Sequence, residues 1–91
     1  MSQFVFEFLR TSAGQAPEAS ADHRRWCLDL HGDGRLGLAG AYTDGSGFLV
    51  ILQGLDRLEG ERLVRDHPWV VAGSGSWSLR EWSPDPSPDQ S

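Results

Sequence analysis

The stretch GFLVILQG, residues 47–54, decides the fold because it has the pattern of a β-strand that is apolar on both sides. Strand side chains alternate between the two faces of a sheet. One face therefore receives Phe48, Val50 and Leu52, and the other receives Leu49 and Ile51. Both faces of such a sheet must be covered. The helices of a short chain cover one face, so we expect a second copy of the chain to cover the other and form a homodimer.

Three other stretches have strand patterns. RLGLAGAYT (35–43) is joined to the apolar strand by the turn residues DGSG (44–47), which predicts a hairpin. QFVFEFLR (3–10) alternates phenylalanines with other residues, and SGSWSLREW (74–82) alternates apolar residues with serine and arginine. The sequence thus predicts four strands.

A first helix is predicted between the first two strands. It begins at Pro17 or Ser20, after the small-residue loop TSAGQAPEAS (11–20), and it ends at the glycines of HGDGR (31–35). The face that recurs at helical spacing consists of Ala19, His23, Trp26, Cys27 and Leu30. A histidine therefore lies within the apolar stripe that faces the sheet.

A second helix is predicted between the last two strands. Asp56, followed three residues later by Glu59, resembles a capping box at its start, and Pro68 ends it. Its inner face consists of Gly60, Leu63, Val64 and His67. A glycine inside a helix costs about 1 kcal/mol relative to alanine, so we expect Gly60 to mark close packing against the sheet.

The order βαββαβ predicts an α+β protein with a ferredoxin-like arrangement, in which both helices lie on one face of a four-stranded antiparallel sheet. Residues 1–82 form one domain. The tail SPDPSPDQS (83–91) is polar and rich in proline, and we expect it to be disordered.

The composition argues against two classes of partner. With a formal net charge of -5 and a pI near 4.9, the chain lacks the clustered positive charge that binds nucleic acid or an anionic membrane. No apolar run approaches the roughly 20 residues of a membrane span, and the N-terminus lacks the pattern of a signal peptide. Because the chain also has a single cysteine, Cys27, we expect a cytoplasmic protein.

Two histidines are the main candidates for chemistry. His23 and His67 fall on the inner stripes of two helices that cover the same sheet face, so they can converge. Burial disfavours a charged imidazole and the nearby carboxylate of Asp66 favours it, a balance that would poise a histidine for proton exchange near neutral pH. The sequence leaves an alternative open, in which His23 is a core histidine bonded to a backbone carbonyl and Asp66 caps or pairs at the surface.

Three further residues are candidate ligand-binding residues: Trp26, Trp69 and Ser74. Tryptophans can line a pocket for a flat organic ligand, although they also serve as core and interface residues. We predict no metal site. His23, Cys27 and His31 are spaced four apart on the first helix, but no second ligand pair accompanies them.

Two blocks of the sequence resemble the YCII-related domain family. The first is HRRWCLDLHGDGRLGLAGAYTDGSGFLVILQG (23–54), and the second is ERLVRDHPWVVAG (61–73). The resemblance runs from about residue 4 to residue 82. It implies a dimeric α/β barrel built from ferredoxin-like chains. Related dimeric barrels include muconolactone isomerases and a chlorinated-hydroquinone dehydrochlorinase, which move protons on small cyclic or aromatic acids without a cofactor.

The resemblance also implies a dyad as the active site, in which a histidine of the first helix pairs with an aspartate that directly precedes a proline. His23 matches the histidine, but the residue before Pro68 is His67, and Asp66 lies one place earlier. A step of one residue turns a helical side chain by about 100°. Either His67 replaces the carboxylate, or the backbone near Pro68 presents Asp66 instead.

Two functions follow as hypotheses. The first is a cofactor-independent isomerase or lyase that uses His23 for proton transfer on a small cyclic or aromatic acid, with Asp66 or His67 orienting it. The alternative is a non-catalytic dimer that binds a small molecule or a partner.

Overall fold

Four strands form a single antiparallel sheet. The structure, a computed structural model, describes residues 3–11 and 20–83. Its elements along the chain are β1 (Gln3–Arg10), α1 (Ser20–Gly32), β2 (Leu36–Ala41), β3 (Gly47–Leu52), α2 (Arg57–Arg65), α3 (Pro68–Val71) and β4 (Gly75–Trp82). The strand order in the sheet is β2-β3-β1-β4, the order of a ferredoxin-like fold. The α+β fold class predicted from the sequence is confirmed.

Strand β1 lies in the middle of the sheet and pairs with both β3 and β4. Phe6 is opposite Val50 on one side and Leu79 on the other, so the three side chains share a face. All three are buried. The alternation predicted for the strands therefore places these three apolar side chains on the face that packs against the helices.

The core lies between this face and the helices. Its buried members are Phe4, Phe6, Phe8, Leu30, Phe48, Val50, Leu52, Val64 and Leu79. Sheet residues supply seven of these nine, and α1 and α2 add one each. Fully burying a side chain of this size stabilises the folded state by about 1.5–3 kcal/mol, so the phenylalanines of β1 and β3 dominate the core.

Helix α2 begins as predicted. Asp56 is its N-cap, and the Asp56 side chain accepts a hydrogen bond from the backbone N–H of Glu59 at 2.9 Å. Gly60 is buried, and a Cβ at this position would lie 3.3 Å from Leu79 Cδ2 and 3.4 Å from Leu55 Cδ1. The close packing predicted from the mid-helix glycine is confirmed.

The end of α2 differs from the prediction in one respect. The sequence pattern placed His67 on the inner face of this helix, but α2 ends at Arg65 with Asp66 as its C-cap. Pro68 then begins the four-residue helix α3, for which His67 is the N-cap. The reason is that proline is favoured at the first position of a helix and restricts the preceding residue to an extended conformation.

The second face of the sheet carries both apolar and polar side chains. Leu38 is 70% exposed, Trp82 46% and Leu9 41%. The Tyr42 hydroxyl donates a hydrogen bond to the Glu7 carboxylate on this face. A single chain therefore leaves apolar side chains of this face in contact with solvent, and the homodimer stays a prediction.

Some predictions concern residues outside the described ranges. Pro17 and Ala19 lie there, and so does the tail from residue 84 onward. Ser83, the first residue of the predicted tail, is exposed. Within the described ranges, each helix is too short or too polar to cross a bilayer.

The junction of β1 and β3 gives a test of the fold. A Cβ at Gly47 would lie 1.8 Å from the Phe8 carbonyl oxygen, whereas a Cβ at Gly40 meets no atom within 4 Å. We expect Gly47→Ala to destabilise the protein by about 3 kcal/mol, because the strands must separate, while Gly40→Ala costs little. Urea unfolding of both variants measures the difference. Equal stabilities would contradict the pairing of Leu9 with Gly47.

Candidate functional site

His67 is fully buried at the junction between α2 and α3. Its backbone is extended, with φ -62 and ψ 134, as expected for a residue before proline. Its ring Nδ1 accepts a hydrogen bond from the backbone N–H of Trp69 at 3.0 Å. The side chain thus caps α3, and the cap fixes the orientation of the ring.

His23 meets His67 from the opposite helix. It lies in the first turns of α1, is partly buried, and its ring Nδ1 is 2.8 Å from His67 Nε2. The two residues are 44 positions apart in the chain. The convergence of His23 and His67 therefore results from the packing of both helical segments on one sheet face.

Aromatic rings surround the histidine pair. Phe48 lies below it, with its ring centroid 4.3 Å from His23 and 5.0 Å from His67. Trp26 is 4.8 Å from His67, and Trp69 is 5.5 Å from His23. We name this set of five residues, His23, Trp26, Phe48, His67 and Trp69, the aromatic histidine site. Such rings exclude water and present flat apolar surfaces to the imidazoles.

This environment disfavours the charged form of both imidazoles. Burial lowers the pKa of His23. Burial, and secondly the charge that His23 would carry, lower the pKa of His67 to about 3. Taking an imidazolium out of water is costly, and a second cation at 2.8 Å raises the cost further.

Cys27 belongs to the same cluster. Its Sγ lies 3.7 Å from His23 Nε2, one turn further along α1. Burial raises the pKa of the Cys27 thiol, which keeps it protonated. The sequence placed Cys27 on the same inner stripe of the first helix as His23. Its spacing of four residues from His23 was the signal that the two side chains touch.

The other predicted site residues lie as follows. Trp26 borders the pair and donates its indole N–H to the Leu63 carbonyl oxygen at 3.2 Å. Ser74 is partly buried, and its hydroxyl donates to the Trp69 carbonyl oxygen at 3.0 Å. Asp66 is exposed at the end of α2, and its backbone N–H bonds to the carbonyl oxygens of that helix. The side chain that lies within hydrogen-bond distance of His23 Nδ1 is therefore that of His67 and not that of Asp66.

The sequence analysis missed Phe48 as part of the site. Its position in the apolar strand marked it as a core residue, and it is 1% exposed. Contact with His23 depends on how α1 crosses the sheet, which a strand pattern does not encode. Among the residues that the structure describes, no group of three or more His, Cys, Asp or Glu side chains is arranged to hold a metal ion.

Comparison with known proteins gives a relationship of fold. No family model matches the chain, and no curated protein matches it by sequence. Among solved structures, 5-chloro-2-hydroxyhydroquinone dehydrochlorinase (TftG) from Burkholderia phenoliruptrix, in complex with 2,5-dihydroxybenzoquinone, superposes with a TM-score of 0.72. The match covers 91% of this chain and 94% of the dehydrochlorinase at 17% sequence identity.

The two chains share a fold. A small-molecule enzyme is thus built on the same arrangement of strands and helices as this chain. At this level of identity the likeness establishes the fold and leaves the chemistry to be argued from the residues themselves.

The low pKa of His67 predicts how stability depends on pH. Below the unfolded pKa of about 6.5, an unfolded His67 takes up a proton that the folded one does not, so stability falls as the pH drops. His67→Asn keeps an acceptor for the Trp69 N–H but does not titrate. Between pH 7 and pH 4.5 we expect the parent to lose about 2–3 kcal/mol more than this variant, measured by urea unfolding at each pH.

His31→Asn serves as the control, because His31 is exposed at the end of α1. It should follow the parent profile. A His67→Asn profile as steep as that of the parent would contradict the burial of a neutral His67.

Proposed function

We propose that the chain is a cofactor-independent, YCII-like protein that binds a small cyclic or aromatic acid at the aromatic histidine site and promotes proton transfer on it. The observation that carries the proposal is the direct contact between His23 Nδ1 and His67 Nε2 at 2.8 Å. Two imidazoles in contact inside an apolar enclosure form a functional-site candidate with a physical rationale, since their proton affinities are perturbed by burial.

The surroundings of the pair suit a flat ligand. The partly buried Trp26 and Trp69 present ring surfaces beside the imidazoles. A planar carbon ring gains contact area against such surfaces, and His23 supplies a polar group that fixes its orientation. The dehydrochlorinase of the same fold binds 2,5-dihydroxybenzoquinone, which is a flat oxygenated ring.

Each proposed residue has a role. His23 contacts the ligand, because it is the partly buried member of the pair. His67, which is fully buried, orients His23. We assign the orienting role to His67 rather than Asp66 because His67 makes the contact, while Asp66 is exposed. Ser74 holds the backbone of Trp69 through its hydroxyl.

A second function is favoured by the replacement of a carboxylate by His67. A carboxylate beside His23 would raise its pKa and help it accept a proton, whereas a neutral imidazole gives no such help. The second function is therefore that the protein binds its ligand without changing it. Both functions use the aromatic histidine site. They differ in whether a carbon-bound proton of the ligand exchanges with solvent.

Deuterium exchange separates the two functions. Cyclic carboxylic acids, lactones and hydroxyquinones are incubated with the protein in D2O, and loss of ligand C–H signals is followed by proton NMR. For an enzyme, a C–H next to a carbonyl loses its proton to water and regains a deuteron from D2O. We expect His23→Ala to slow this exchange by at least about 100-fold, the usual contribution of a group that assists proton transfer.

His31→Ala is the matched control and should exchange ligands at the parent rate, because His31 is an exposed histidine of the same helix. Binding of a ligand without exchange would favour the second function. Failure of all these ligand classes to bind would contradict both functions at this site.

The proposal includes a homodimer formed through the second face of the sheet. Exposed apolar side chains support this face as the dimer interface. Leu38 is 70% exposed, Trp82 46% and Leu9 41%. A cytoplasmic location remains part of the proposal, and it rests on the composition of the chain.

Sedimentation tests the dimer. Leu38→Asp places a charge on the second face, and we expect it to convert a dimeric parent into a monomer, because an unpaired charge is costly to bury. Leu28→Asp is the control, since Leu28 is 61% exposed on α1, away from that face. It should leave the dimer intact. A parent that sediments as a monomer at micromolar concentration would contradict this part of the proposal.

A further inference from the structure

The hydrogen-bond cap of α3 determines where His67 carries its proton. The backbone N–H of Trp69 can only donate, and it donates to His67 Nδ1 at 3.0 Å. That nitrogen must therefore hold a lone pair. A neutral imidazole has one N–H, so His67 carries its proton on Nε2.

The same reasoning passes to His23. His67 Nε2–H lies 2.8 Å from His23 Nδ1, so His23 Nδ1 must accept. A neutral His23 then carries its single proton on Nε2. The neighbour of this N–H is Cys27 Sγ, a weak acceptor that lies 3.7 Å from His23 Nε2.

We infer that the Trp69 amide donates a hydrogen bond to His67 and that His67 donates one to His23. His23 Nε2–H is then a donor that binds an oxygen atom of the ligand. This inference rests on the proposed function and names the role of His23 within it. The ligand group is an acceptor: a carbonyl, carboxylate or phenolate oxygen. It replaces Cys27 Sγ as the partner of the N–H, and the proton stays on Nε2.

A carboxylate in the place of His67 would give the opposite arrangement. It would accept a hydrogen bond from His23 Nδ1–H and leave His23 Nε2 with a lone pair, which is the form of a general base. The imidazole of His67 donates instead of accepting. One change of side chain thus reverses the direction of the hydrogen bonds and turns His23 from a base into a donor.

The donor form suits a reaction in which negative charge develops on oxygen. A neutral imidazole can hydrogen-bond to a carbonyl oxygen and stabilise the enolate that forms when a water molecule takes a proton from the adjacent carbon. Protonating His23 as well would set its Nδ1–H against the Nε2–H of His67. The geometry therefore disfavours the imidazolium, in agreement with the lowering of both pKa values by burial.

Nitrogen-15 NMR of the imidazole rings tests the inference without any ligand. In protein with 15N-labelled histidine at pH 7, we expect His23 and His67 each to show a protonated Nε2 and an unprotonated Nδ1. Exposed His31 is the internal comparison and should show a mixture of tautomers. A His23 protonated at Nδ1 would overturn the inference.

Variants of His67 supply a second readout. His67→Asn keeps the cap of α3 but its side chain ends short of His23, so His23 should lose its single tautomer. We expect benzoate, as a probe acid, to bind about twofold more weakly to this variant, because about half of the molecules then carry the His23 tautomer that cannot donate from Nε2. Benzylammonium, which offers only donors, should bind neither protein at the same concentrations.

The outcomes separate this inference from the proposed function. His23 protonated at Nδ1, in a protein that still binds acids and exchanges their protons, would overturn the inference and leave the function standing. Both rings protonated at Nε2, in a protein that binds none of the acids, would overturn the proposed function and the ligand class but not the order of the protons. The tautomers of the parent decide the inference even if a variant fails to fold.

Discussion

The phenylalanine face of the sheet is the constraint on which both the core and the site depend. Phe6, Phe8 and Phe48 are buried beneath the helices, and the same rings lie against His67. Their burial stabilises the fold, and it removes water from around the imidazoles. The low pKa of His67 is therefore a consequence of the core itself, because no separate pocket is needed to desolvate the ring.

Pro68 links the local backbone to the chemistry. It ends the run of α2, holds His67 in an extended conformation and begins α3. His67 caps the backbone amide of Trp69, which lies in the first turn of α3, where side chains cap the backbone N–H groups of a helix. A backbone rule about proline thus determines which ring nitrogen of His67 bears a proton.

Much of the fold could be predicted from the sequence, because strand and helix periods are local signals. The alternation in residues 3–10 and the cap at Asp56 both appear in the structure as expected. The four-residue helix α3 was missed because it is too short to show a period. The sequence could not decide whether His67 or Asp66 contacts His23, since a shift of one residue along the backbone decides which side chain points inward.

The candidate site was predicted in part for a similar reason. His23 and His67 each lie on an apolar stripe, and two stripes on one sheet face were expected to converge. The contacts of Phe48 and Cys27 with His23 depend on the crossing of α1 over the sheet, which is a property of the packed structure. The direction of the hydrogen bonds required the atoms of the α3 cap.

The distance of 44 positions between His23 and His67 has a consequence for folding. Their contact closes a long loop that contains β2, β3 and α2. Loop closure costs conformational entropy, and prior pairing of the β2 and β3 hairpin shortens the free chain that must be ordered. We therefore expect the imidazoles to meet only after the hairpin has paired. A partly folded chain would then lack the site, and binding of a ligand at the site would indicate that folding is complete.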